Sequence, residues 1–296
     1  MNSILKNKVY LFFKMLTCNL MGGLGNQLFQ IFTTISYSIK SKNPFKFLNI
    51  ELLGSGHTTV RYTYWNSFLN KLKPFLINNL PPNVVIREKN FTYNDIETDE
   101  LSNKDILLYG YFQSYKYFKD NYKIICKIIG LEDIKKNITN KLGLTSEYLN
   151  NVISVHFRLG DYKKNINFHP LATYQYYENC LIFIQNKIPT QNFTVLYFCE
   201  EDDHTEVLSN YVNKLIERFP NVKFIRGCST LQDWEQLILM SCCHHNVIAN
   251  SSFSWWAAYF NSNIDKIICY PSVWFGSDAN IDTKDLCPRE WVKINI

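Results

Sequence analysis

The stretch Ser154-Val-His-Phe-Arg-Leu-Gly-Asp-Tyr162 brings an imidazole, a guanidinium and a carboxylate to the end of what reads as a buried strand, with Val152, Ile153 and Val155 apolar. Unpaired charge is costly in such a place, so an anionic ligand or a tight ion-pair network must meet it. Arg158 offers a planar, permanently charged fork suited to bidentate phosphate contact. His156 lies two residues earlier, on the same face of the strand. Gly160 lets the chain turn, and Asp161 can fix that turn or orient Arg158. An internal Arg158–Asp161 pair beside a core histidine would explain the same pattern without a ligand.

Two further strand-end segments suit an anion. Met21-Gly-Gly-Leu-Gly-Asn-Gln27 leaves an apolar strand and enters a helix. Gly23 and Gly25 can bring backbone N–H groups close to a phosphate there, and a helix N-terminus favours negative charge. The segment is neither G-x-G-x-x-G nor a P-loop, and a plain tight turn accounts for it too. Asn250-Ser-Ser-Phe-Ser-Trp-Trp256 also leaves a strand and opens a helix. Ser251 or Ser252 is a natural N-cap, and the same hydroxyls could hold a phosphate; Trp255 and Trp256 read as packing. A fourth segment, Glu200-Glu-Asp-Asp-His204, follows the run FTVLYFC. Its carboxylates, Asp202 among them, can accept hydrogen bonds from ribose hydroxyls or a base edge, or serve as first-turn helix charges. Asp233, opening QDWEQLILM, has the same two readings.

These loops need a scaffold that delivers them to one place. Short β-branched or aromatic runs alternate with longer helical segments, which predicts parallel sheets with crossover helices. Strands are expected over 15–20, 105–112, 152–157, 193–199, 222–225, 246–250 and 266–270. Helices are expected over 27–40, 114–129, 173–186, 204–217, 231–243 and 252–262, while the polar stretch 131–150 reads as a bridge between halves. The fold class is α/β: two Rossmann-like doubly wound domains, 1–148 and 149–296, facing a cleft. Ligands in that layout sit at the carboxyl ends of strands.

Composition narrows the function classes. With 46% hydrophobic and 16% aromatic residues in 296, a substantial core is expected and disorder is not. The net charge of +5 is mild and the lysines are scattered, unlike the stripe of a nucleic-acid binder. Nine cysteines, odd in number and without a C-x-x-C pair, read as reduced, mostly buried thiols of a cytoplasmic protein. Cys242-Cys243-His244-His245 does not easily close a tetrahedral site, so no metal is expected. The apolar segment 9–20 is interrupted by Lys14 and too short to span a bilayer; neither a signal peptide nor a transmembrane segment is expected. Tyr62, Tyr64 and Trp65 could stack on a sugar.

Taken in order, GGLGNQLFQ, GYFQSYKYF, VHFRLGDY and NSSFSWWAAY resemble the α-1,2-fucosyltransferase family, glycosyltransferase family 11, over residues from about 17 to about 275. The resemblance implies a GT-B architecture, with an N-terminal acceptor-side domain and a C-terminal nucleotide-sugar domain. It implies inverting transfer of L-fucose from GDP-fucose to the 2-hydroxyl of a galactosyl glycan, without metal or other cofactor. Arg158 would bind the donor pyrophosphate, with His156 and Tyr162 beside the nucleotide. Gly23, Gly25, Asn26 and Gln27 would lie across the cleft, Ser251, Ser252 and Phe253 would face the phosphates, and Asp202 and Asp233 would read ribose or guanine. Asp161 is the first choice for the group that takes the acceptor proton, although no sequence feature singles out a base. Many relatives carry H-x-R-R-G-D-Y where this chain has Leu159, which alternation aims at the opposite face. Two alternatives stay open: a different GDP-deoxyhexose donor such as GDP-rhamnose, and a non-catalytic carbohydrate-binding relative.

Overall fold

Strand β1 (Leu16–Cys18) is buried on both faces and feeds helix α1 (Leu24–Ser41), which is buried along nearly its whole length. A helix buried almost all round, polar residues such as Gln27, Gln30, Thr33 and Thr34 included, must be covered on every side. In the computed structural model, which describes residues 14–54, 60–81, 84–97, 104–188 and 192–296, it is. On one side lies a parallel sheet built from β1, β2 (Phe47–Leu48), β3 (Leu76–Ile77), β4 (Val84–Arg87) and β5 (Ile106–Tyr109). Strands β1, β5 and β4 pair directly, and β2 pairs with β3. A parallel bridge between Leu16 and Phe45, and a bond from Lys46 N to Leu16 O of 3.0 Å, attach that pair to the free edge of β1. The resulting order is β3-β2-β1-β5-β4. A short antiparallel pair, Leu52–Leu53 with Arg61–Tyr62, projects beyond it.

The expected helix 114–129 is in two pieces, a single 3-10 turn at Tyr115–Tyr117 and α2 (Tyr122–Ile129). Tyr117 and Phe118 are driven into the core between them, and Ser114 caps the first piece by accepting from Lys116 N. Stretch 131–150 is more ordered than its polarity suggests. Helix α3 (Leu131–Lys141) buries Leu131, Lys135 and Ile138, an i, i+4, i+7 stripe, and Gly130, at φ +73°, joins it to α2.

The second half carries β6 (Val152–His156), α4 (Tyr174–Lys187), β7 (Thr194–Phe198), β8 (Lys223–Arg226), α5 (Asp233–Cys242), β9 (His245–Val247), α6 (Ser252–Phe260), β10 (Ile268–Pro271) and β11 (Val292–Ile294). A helix over 204–218, with a π turn at Leu208–Val212, links β7 to β8. The sheet is parallel throughout, in the order β8-β7-β6-β9-β10-β11. Numbered from β6, this is the 3-2-1-4-5-6 order of a Rossmann unit, whose switch point falls between the first and fourth strands. Those are β6 and β9, the strands that lead into SVHFRLGDY and NSSFSWW.

The two units meet through α1 and α6. The Phe29 ring lies 4.5 Å from Trp255 and the Phe32 ring 4.5 Å from Trp256. One apolar core therefore runs from Leu16 to Trp291, and both tryptophans pack, as expected. All nine cysteines are unbridged. Among the described residues no helix is long and apolar enough to cross a membrane; residues 9–13 of the apolar segment lie outside the described set.

Candidate active site

At the end of β6 the alternation continues past the last ladder bond. Phe157 and Leu159 turn into the core behind the sheet, while His156 and Arg158 face the cleft side. An arginine at 159 would thus enter apolar packing in this chain. Arg158 donates from Nη1 to Glu200 and from Nη2 to Asp161, and lies 5.0 Å over the Tyr162 ring. Its Nε is buried without a partner. Burial opposes its charge, but Glu200 and Asp161 outweigh that and raise its pKa. The ligand-free ion pair anticipated from sequence is present, and Glu200 is a second anion that sequence did not single out. Both carboxylates are about half exposed, so a more highly charged diphosphate can displace them.

Gly160 sits at φ +41°, where a Cβ would lie 2.5 Å from Glu200 Oε2. Its N–H donates to Asp203 Oδ2 at 2.6 Å, and Lys163 Nζ pairs with Asp203 Oδ1 at 2.8 Å. The buried carboxylate after β7 is therefore Asp203, which pins the turn under Arg158. Asp202 points to solvent, with no hydrogen bond or ion pair among the described residues. Tyr162 donates to Asn250 O at 3.1 Å, tying the β6 turn to the β9 turn.

His156 is buried, its Nδ1 has no partner, and its ring lies 5.5 Å from Phe253. Burial, with a smaller contribution from Arg158, lowers its pKa from 6.5 to about 3, so the imidazole is neutral at pH 7. The unfolded chain takes up this proton first. The stabilisation is complete above about pH 6.5 and is lost as the pH falls toward 3. Acid unfolding of a His156→Gln variant should therefore be less steep than wild type between about pH 6.5 and 4. His245, also depressed, contributes equally to both proteins. Equal slopes would contradict a neutral, buried His156.

The opposite wall comes from the start of α1. Gly25 abuts the backbone of α6, with a Cβ there lying 2.4 Å from Ser252 C. Two helix N-termini, each with unpaired N–H groups and a positive dipole end, thus converge beside Arg158. Asn26 Oδ1 accepts from Ser252 Oγ at 2.7 Å and from Gln113 Nε2 at 2.9 Å. Its oxygen is committed, which leaves the Nδ2 amide as its available donor. An Asn26→Asp variant keeps both incoming bonds but loses that donor and gains a negative charge. It should keep a near-normal Tm while binding GDP about tenfold or more weakly; unchanged GDP affinity in titration calorimetry would remove Asn26 from the anion site.

Not every candidate faces the cleft. Gln27 is fully buried, and its Nε2 donates to Gly22 O at 3.0 Å and Tyr62 O at 2.9 Å, so it braces the glycine turn. Gly23 is the N-cap of α1, with open space beside its Cα. Ser251 caps α6 by accepting from Phe253 N at 3.3 Å. Asp233, the first residue of α5, accepts from Tyr64 OH across the two halves and from Trp234 N at 2.7 Å. Arg61 Nη2 lies 3.7 Å from Asp161 Oδ2. Arg61, Tyr64, Gln113 and Glu200 complete the rim; Gln113 and Glu200 lie within sequence motifs that do not pick them out as site residues, Tyr64 is expected from sequence only to stack, and Arg61 sits in no motif. Among the described residues no group of three or more His, Cys, Asp and Glu side chains is placed to hold a metal ion.

The model of the family described as Glycosyl transferase family 11 matches residues 14–295. An Escherichia coli protein named alpha-1,2-colitosyltransferase is 28% identical over 298 residues, spanning 93% of this chain and 97% of its own length. The Escherichia coli O-antigen biosynthesis glycosyltransferase WbnK is 27% identical over 193 residues, 63% of this chain and 60% of its own. Of solved structures, a variant of Arabidopsis thaliana FUT1 in complex with GDP overlays with a TM-score of 0.48 at 11% identity, over 86% of this chain and 70% of that one.

Proposed function

From the premise that the chain belongs to glycosyltransferase family 11, we propose that it moves L-fucose from GDP-fucose to the 2-hydroxyl of a galactosyl glycan, with inversion and without a metal. Residues 1–148 serve the acceptor side and 149–296 the nucleotide-sugar side. The observation that carries the reading is Arg158, with a buried, unpartnered Nε, at the β6–β9 switch point beside two converging helix N-termini. As the sugar–phosphate bond breaks, negative charge grows on the leaving diphosphate. Arg158, the Asn26 amide and the first-turn N–H groups of α1 and α6 stabilise it, each such preorganised donor being worth a few kcal/mol. His156, neutral, lines the nucleotide beside Phe253. Asp161, held by Arg158 and Arg61, positions the fork; release from that pair would free it to take the acceptor proton.

A second reading changes only the donor sugar: the relative named for colitosyl transfer favours a GDP-colitose donor. The test is incubation with GDP-fucose or GDP-colitose and methyl β-D-galactoside, with and without EDTA, and NMR of the product. The first reading predicts an α-1,2 product from the β-linked donor, insensitive to EDTA and formed faster from GDP-fucose. A preference for GDP-colitose selects the second reading. A β-linked product or EDTA-abolished transfer contradicts the mechanism in both.

A further inference from the structure

A separate cavity of about 400 Å³ opens beside the β2–β3 pair, lined by Asn49 and Glu51 after β2, Lys73 and Leu76 at the start of β3, and Trp65 and Asn66. Its size falls within the range of small-ligand sites. Trp65 is 2% exposed and stacks on Phe47 with ring centroids 5.6 Å apart, which fixes the indole, and its buried Nε1 has no hydrogen-bond partner. Among the described residues the side chains of Glu51, Asn66 and Lys73 make no hydrogen bond or ion pair, and Asn49 donates only to Asn78, at 3.2 Å. A buried donor left unpaired is expensive, and the residue that carries it lines a pocket rich in uncommitted polar groups.

The chemistry of the lining selects a ligand class. A carboxylate, an ammonium and two amides supply donors and acceptors together, and the opposed charges of Glu51 and Lys73 suit a neutral polyol better than an anion. Closely spaced donors and acceptors of both kinds over a rigid indole floor fit the hydroxyl groups of a pyranose ring. Position supplies the rest. The run from Arg61, beside Asp161, to Trp65 spans at most ~14 Å of backbone, and Tyr64 within it bonds Asp233 across the cleft. The geometry points to an outer acceptor subsite here, one that holds a sugar ring of the glycan at a distance from the galactosyl unit that reacts. This assignment rests on the glycosyltransferase reading above.

The test compares methyl β-D-galactoside with a tetrasaccharide ending in the same β-galactoside, using wild type, Glu51→Gln and Asn66→Ala. Saturation-transfer NMR on the GDP-loaded protein reads binding directly, without turnover. The wild type should saturate the inner rings of the tetrasaccharide and show a KM for it about tenfold below that for the monosaccharide. Each substitution should erase most of that difference, leaving the donor KM within about twofold; one hydrogen bond is worth roughly a tenfold change. Tetrasaccharide binding and KM unchanged in both variants would overturn the subsite. So would absent tetrasaccharide saturation in wild-type protein that GDP still stabilises, an outcome that leaves the donor reading standing. Loss of GDP stabilisation would instead sink the donor reading, while the NMR signal continues to report on the pocket.

Discussion

Replacing Arg158 with alanine is expected to lower kcat/KM by at least ~10³-fold and to remove stabilisation by GDP, with the fold retained. The magnitude follows from what the side chain does. A single preorganised donor to a developing anion is worth roughly 10²–10³ in rate, and a guanidinium brings full charge and a fork of donors. The stability cost should be small, because the two carboxylates released are half exposed and return to water. Lysine at 158 keeps the charge but loses the bidentate geometry, so it should recover only part of the activity. Steady-state kinetics on all three proteins, with circular dichroism as the fold control, checks this. An alanine variant within tenfold of wild type would exclude Arg158 from the reaction.

Gly25→Ala should be nearly as damaging, for a steric reason. The added Cβ would fall 2.4 Å from Ser252 C and 2.6 Å from Phe253 N. Both are backbone atoms at the start of α6, so no side chain can swing aside. The methyl must push α1 away from α6, which breaks the Asn26–Ser252 bond and separates the two helix N-termini. Overpacking of this kind costs roughly 1–3 kcal/mol, and the misplaced donors should cost on the order of 10²-fold in kcat/KM. Gly23→Ala, with open space beside it, is the control and should keep a wild-type Tm. Equal behaviour of the two variants would mean that the α1–α6 contact does not shape the site.

The contrast between these glycines shows what the sequence could reveal. The motif GGLGN marked a turn suited to an anion, but nothing in it distinguishes Gly25, pressed on α6, from Gly23, which faces open space; that depends on a partner helix more than two hundred residues away. In the second half, β6, β7 and β9 each lead into a chemically distinctive loop, so those strand ends were legible. Their convergence follows from parallel pairing and the β6–β9 switch point. The first half hides its sheet because β2 and β3 are two residues long, too short for any periodicity, and are held by pairing alone. The last strand, β11, is missed for a similar reason.

The run EEDDH illustrates a different limit. Any of its carboxylates could have faced the ligand, and the phase of the turn after β7 decides it: Asp203 goes inward to pin Gly160, Glu200 reaches Arg158, and Asp202 is left in water. Arg61 and Tyr64 sit on a chain segment with no motif, placed by the Gln27–Tyr62 bond. Such residues become visible only when two distant segments are seen together.

The central claim is that Arg158 holds a guanosine diphosphate at the switch point, and thermal unfolding tests it most directly. GDP at about a hundred times its Kd should stabilise the wild type by roughly 2.7 kcal/mol, an upward shift in Tm of several degrees for a chain of this size. ADP and UDP should give little, EDTA should not change the GDP effect, and Arg158→Ala should lose it. No shift with GDP, or an equal shift in Arg158→Ala, would contradict the account.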